Sequence, residues 1–238
     1  MLTVYGFGPG FGLADMGPFA LKLETWLRMA KIPYRKEPGN MRKAPKRKIP
    51  YAADGDRLMA DSSHIIEYLE QKHNDPLREK RVGVQDKAYA QALKSLFETD
   101  LYFIIVYLRW WNDDDFEILK KPLTEALVTS GVPKFAAPAV AGLARRSVRS
   151  IIDAQGAGRH AREEVYAMGR TLVESISELL GDKKFFLGDE PTKIDATAYG
   201  MLTSLTADPF DNPVKACALG RANLVEYCAR MKATAWAA

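Results

Sequence analysis

The chain has 238 residues, 47% of them apolar, with 34 basic and 30 acidic side chains and a formal net charge of +4. That apolar content supports a filled core and argues against disorder. The small positive excess lacks the dense basic stripe of a nucleic-acid binder, and two cysteines with three histidines argue against a structural zinc site.

In chain order, Leu2–Gly8 reads as a short strand that runs into a glycine-rich loop ending at Gly17. The loop lacks the dinucleotide-binding glycine spacing and a phosphate-loop lysine. The first residues lack the basic start and apolar stretch of a signal peptide. A helix begins at Pro18, where the missing N–H costs least. Phe19, Leu23, Trp26, Leu27 and Ala30 share one face of it, with Lys22, Glu24, Arg28 and Lys31 largely elsewhere. Ile32–Glu37 is a second strand, completing a β-α-β unit of a parallel sheet. A basic connection follows, with Arg42, Lys43, Lys46, Arg47 and Lys48. Ile49–Ala53 and Arg57–Ala60 then read as a hairpin around Asp54-Gly55-Asp56. Asp61 caps a helix that buries Ile65, Ile66 and Leu69.

After the charged linker Asn74–Gly83 the pattern becomes helical and stays so. The segments are Val84–Trp111, Phe116–Leu127, Phe135–Ala154, Ala161–Leu180, a helix capped by Thr192 with Asp195, and Arg221–Lys232. The densest apolar run, Tyr102–Leu108, is too short to span a bilayer, so the chain is expected to be cytoplasmic with no transmembrane segment. Cys217 and Cys228 fall on one helical segment, as buried free thiols. The reading is therefore α/β plus all-α: residues 1–75, then residues 84–238.

Three pieces belong together: the Gly17-Pro18 junction, Pro50 at the start of a strand, and "ADSSHIIEYL". With "IPYAADGDRLMADSSHIIEYL" and "FFLGDEPTKIDATAYG", the chain resembles the glutathione S-transferase superfamily. Within it, "GPFALKLETWLRM", "RKAPKRKIPY" and "AQGAGRHAREEVYAMG" resemble the failed-axon-connections and metaxin-like branch. The resemblance implies a thioredoxin-like N-terminal domain, a C-terminal helical bundle domain, and glutathione as co-substrate. It also implies a cis bond before Pro50, with the Ile49 backbone pairing the cysteinyl part of glutathione as an added strand. Ser62 and the helix N–H groups would receive the γ-glutamyl carboxylate. Asp61 would meet the γ-glutamyl ammonium or cap the helix. The glycyl carboxylate would take a cation of the run Lys43, Lys46, Arg47 and Lys48, with Lys48 the choice.

Many members of that superfamily carry a serine or cysteine where this chain has Gly17, and that side chain serves the glutathione sulfur. Here the remaining candidates are the backbone near Gly17, Pro18 and Phe19 with the helix dipole, and Tyr5, which fits either an activating tyrosine or a plain strand residue. Tyr102, Tyr107, Trp110 and Trp111 read as one aromatic cluster, either core or part of an acceptor pocket. Two functions follow from the resemblance. One is conjugation of glutathione to a small hydrophobic electrophile by a homodimer. The other is a non-catalytic, metaxin-like binding protein, with "RRSVR" (Arg145–Arg149) and the amphipathic segment Val132–Ile152 as a surface for a partner or for peripheral membrane contact.

Overall fold

A computed structural model describes residues 1–207 and 209–237. Strands β1 (Leu2–Gly6), β2 (Tyr34–Pro38), β3 (Tyr51–Asp54) and β4 (Arg57–Ala60) form one sheet in the order β2-β1-β3-β4. Strands β1 and β2 are parallel, and β1–β3 and β3–β4 are antiparallel. Helices α1 (Pro18–Met29) and α2 (Ser62–Lys72) cover one face, where Val4, Leu23, Trp26, Leu27, Ala52, Ile65 and Leu69 pack together. On the opposite face Tyr51, Ala44 and Ala60 pack with Tyr5 and Ile49, under the turns of residues 40–47. That connection holds no helix.

The long helical pattern from Val84 is real but interrupted. It consists of α3 (Val84–Ser95), a π-helical turn (Leu96–Leu101) and α4 (Tyr102–Trp110). Then come α5 (Asp113–Thr129), α6 (Ala137–Gln155), α7 (Arg162–Leu180), α8 (Lys193–Leu205), α9 (Pro213–Leu219) and α10 (Ala222–Trp236). Helix α8 starts where the capping box places it. The buried Asp195 carboxylate accepts from the Thr192 N–H at 2.8 Å, the Thr192 hydroxyl at 3.0 Å and the Phe186 N–H at 2.9 Å.

Two expectations change. Cys217 and Cys228 do not share a helix: Gly220 separates α9, which holds Cys217, from α10, which holds Cys228. Both thiols are free and half-buried rather than buried, and desolvation pushes Cys228 up to about 12. Lys22 and Glu24 of α1 are buried as well, on different sides of the helix. Helix α1 lies against α8, whose Gly200 sits so close that a Cβ there would be 2.8 Å from the Pro18 carbonyl and 2.9 Å from the Lys22 nitrogen. Only glycine lets the two helix backbones approach this far.

Candidate functional site

The start of α2 is strained and open. The Ile49–Pro50 bond is cis, and Pro50 is buried. Asp61 has φ 78° and ψ 117°, a conformation costly for a residue with a Cβ, and its Oδ1 accepts from the Ser63 N–H at 3.0 Å. Such strain persists only where the surroundings hold it. Ser62, the first residue of α2, is 4% exposed, yet its hydroxyl makes no hydrogen bond among the described residues. Behind it, Lys22 Nζ is buried and donates to Ser63 Oγ at 2.8 Å and to Glu98 Oε1 at 2.6 Å. Glu98 lies in the π-helical turn, so the helical half of the chain holds this end of α2 through Lys22. Lys48 is exposed and makes no ion pair among the described residues, whereas Lys46 Nζ lies 3.2 Å from His64 Nδ1.

The start of α1 is occupied by the protein itself. Gly17 donates its N–H to Asp15 Oδ1 at 2.8 Å, and Pro18 has no N–H to give. A Cβ on Gly17 would lie 2.8 Å from Phe7 Cδ2, because the Phe7 ring fills the space where a side chain would project. The Phe19 N–H alone of these three positions has neither a partner nor a chemical bar to donating. Asp15 is 0% exposed and is bonded on every side: Gly8 donates to its Oδ2 at 3.0 Å, and Lys36 Nζ lies 3.0 Å away. Lys36 also donates to the Ala14 carbonyl and to Glu24 Oε1, each at 2.6 Å, and Glu24 Oε2 accepts from the Tyr34 hydroxyl at 3.0 Å. Burial pushes the Asp15 and Glu24 carboxyls above their usual range, outweighing the pull of Lys36. Burial also takes the Tyr34 hydroxyl to about 12.

On its other flank, the loop before α1 is held from the helical half. Arg109 of α4, 6% exposed, donates Nη1 to the Met16 carbonyl at 3.0 Å, and its Nη2 donates to the Ser204 carbonyl. The rings of Phe11 and Phe210 lie 5.5 and 5.3 Å from the guanidinium. Tyr102, two turns before Arg109 on the same face of α4, packs on Phe19 with centroids 4.9 Å apart, and its hydroxyl has no partner among the described residues.

Tyr5 is stacked flat on Tyr51 at 4.4 Å, in register with it across β1 and β3, on the sheet face away from α1. The four aromatic residues of the α4 region all belong to or pack on the core of the helical half, but their ring contacts differ. Tyr102 faces α1, Tyr107 stacks on Trp111 at 5.6 Å, and Trp110 turns to Phe116. Within "RRSVR", Arg145 and Val148 are half-buried, while Arg146, Ser147 and Arg149 are exposed. Arg145 donates to the Trp110 and Trp111 carbonyls at 3.1 and 3.0 Å, closing the end of α4, and Arg149 stacks over Trp111. Sequence reasoning missed Asp15, Lys36, Lys22, Glu98 and Arg109 as parts of this region. The one available signal was charge inside otherwise apolar elements. No group of side chains suited to a metal ion occurs among the described residues, and none of their helices is long and apolar enough to cross a membrane.

Residues 18–116 match the glutathione S-transferase N-terminal domain, and residues 169–231 match the glutathione S-transferase C-terminal domain. The chain is 30% identical over 238 residues to an isoprene-epoxide--glutathione S-transferase of Rhodococcus sp. (strain AD45), covering 98% of each chain. It is 29% identical to Failed axon connections of Drosophila melanogaster, over 86% of this chain and 50% of that protein. It is 24% identical to Metaxin-2 of Homo sapiens, over 90% and 80%. Among solved structures, the beta-etherase LigF from Sphingobium sp. strain SYK-6 superposes with a TM-score of 0.61 at 15% identity, over 98% of this chain and 95% of that one. The fold, the paired domain matches and the full-length relative agree: the chain belongs to the glutathione S-transferase family, near its metaxin-like branch.

Proposed function

We propose that the chain binds glutathione at the start of α2 and conjugates it to a small hydrophobic electrophile. The observation that carries this reading is the Ser62 hydroxyl, without a partner yet still accessible in a residue only 4% exposed, beside the strained Asp61 and the cis-Pro50 turn. A free hydroxyl at a helix start is placed to donate to an anion bound there. In this reading the helix N–H groups and Ser62 take the γ-glutamyl carboxylate, Asp61 takes the ammonium, and the Ile49 backbone pairs with the cysteinyl unit. Lys48 is the assigned partner of the glycyl carboxylate. Residues 1–75 then form the glutathione-binding unit and residues 84–238 the helical unit, in a cytoplasmic homodimer.

The Rhodococcus relative points to strained epoxides as the first electrophiles to test. The thiolate attacks a ring carbon, the C–S bond forms as the C–O bond breaks, and the oxygen leaves as an alkoxide that takes a proton. The protein's part is to lower the thiol pKa and hold the reactants in line. Incubation with glutathione and a panel of small epoxides, read by conjugate mass, is the test. Saturation with glutathione but no conjugate from any electrophile would remove the catalytic half.

A second reading, a non-catalytic binding protein, is favoured by the packed start of α1 and by α6. That helix leaves Leu143 and Ile151 exposed, and Phe135 just before it is 90% exposed. Sedimentation with anionic vesicles tests its membrane form.

A further inference from the structure

Arg109 is a buried cation without a neutralising anion. No carboxylate contacts its guanidinium among the described residues; its partners are the Met16 and Ser204 carbonyls and the faces of Phe11 and Phe210. Buried guanidinium groups are ordinarily paired, since an isolated charge in a protein interior is expensive. Asp15, the carboxylate next to Met16 in sequence, is turned to Gly8, Gly17 and Lys36. The Ser204 hydroxyl is a second unfinished group here, buried with no hydrogen-bond partner. It lies one helical turn beyond Gly200, the residue in contact with Pro18. The guanidinium is thus held one residue before Gly17, where α1 begins and where the sulfur of glutathione lies in the reading above.

We propose that Arg109 supplies the positive charge that stabilises the bound glutathione thiolate, in place of the side-chain donor that Gly17 lacks. The proposal rests on the glutathione reading. A fixed cation in a low-dielectric pocket lowers the pKa of a nearby thiol, as a helix N-terminus does. The groups around Arg109 are Tyr102 on its own helix, Met16 and Phe11 of the loop, Ser204 of α8, and Phe210. Tyr102 stays neutral at working pH because burial raises its pKa. Desolvation lowers Arg109 to about 10, which leaves it charged at neutral pH. Asp15, which accepts the Gly17 N–H at this same start of α1, and Glu24 both contact Lys36.

The test is the pKa of the enzyme-bound thiol, followed by the ultraviolet absorbance of the thiolate in a pH titration, in the wild-type chain and in Arg109→Lys and Arg109→Met. S-methylglutathione, which has no thiol, is titrated beside it. The wild-type bound thiol should titrate roughly one to two pH units below the ordinary value of about 8.5. Arg109→Lys should keep most of that shift, and Arg109→Met should lose it. All three should bind S-methylglutathione equally. An unshifted wild-type thiol overturns the proposal without any variant, so it stays exposed if Arg109→Met does not fold. A shift that survives in Arg109→Met also overturns it and leaves Arg109 as a purely structural tie. If S-methylglutathione does not bind the wild type, the glutathione reading itself fails, and this inference falls with it.

Discussion

Helices α1 and α2 start on the same side of the sheet, and their two N-termini are built in opposite ways. At α1 the protein completes itself: Asp15 takes the Gly17 amide, and the Phe7 ring fills the place of a side chain. At α2 the first residue keeps an accessible hydroxyl unbonded, and its neighbour Asp61 is strained. Both ends expose the same partial positive charge to whatever lies in front of them. The difference shows that an anion-binding terminus is a matter of what the local sequence leaves unfilled. In the family framework, the γ-glutamyl end keeps its polar groups free, while at the sulfur end Asp15 already takes the Gly17 amide.

The sharpest way to break this contrast is to remove the internal anion. Asp15→Ala takes away a fully buried partner of Lys36 and two backbone amides, so urea denaturation should show a loss of about 3 kcal/mol. Next is the supposed repair, Gly17→Ser. Its Cβ would come 2.8 Å from Phe7, so overpacking should cost about 2 kcal/mol with no gain in turnover. Trimming the ring in a Gly17→Ser/Phe7→Leu double variant should recover part of that loss, and additive costs would mean the ring does not fill this space. At the other terminus, Ser62→Ala should leave the melting temperature nearly unchanged while weakening glutathione about tenfold, the worth of one buried hydrogen bond to a charged group.

The smallest effect is on pH dependence. Asp15 and Glu24 titrate above their ordinary values in the folded chain, so within that window the folded form holds more protons than the unfolded one. Their contribution to stability is therefore present at low pH and is lost as pH rises through the folded pKa values. Glu24→Gln keeps an acceptor for Tyr34 but removes one titrating group, so its unfolding free energy should vary less with pH in the acid range than the wild type's.

What was legible in the sequence was local chemistry. Pro18, the Asp54-Gly55 turn, the Asp61 cap and the Thr192–Asp195 box each act within a few residues, and each element stands where those signals place it. The short α9 merged with α10 because Gly220 breaks a continuous apolar pattern without a proline to mark it. The charged architecture was not legible. Lys22 meets Glu98 across 76 positions, and Arg109 meets Met16 across 93, so a charge on a helix's polar face gave no sign that another helix covers it. Within "RRSVR" the role of Arg145 was hidden: it reads as surface until the end of α4 is placed beneath it, while Arg146 and Arg149 remain exposed. Gly17 was noticed as a missing side chain; the Asp15 bond to its N–H follows the common two-residue aspartate turn, but the Phe7 ring that fills its place lies beyond any spacing rule.

The most direct test is a calorimetric titration of glutathione into the wild-type chain and into Ser62→Ala. The contrast between the two helix starts predicts saturable binding in the wild type and about tenfold weaker binding in the variant. Equal binding by both, or no binding at millimolar glutathione, would contradict it, because the open terminus of α2 would then not be where the ligand is held.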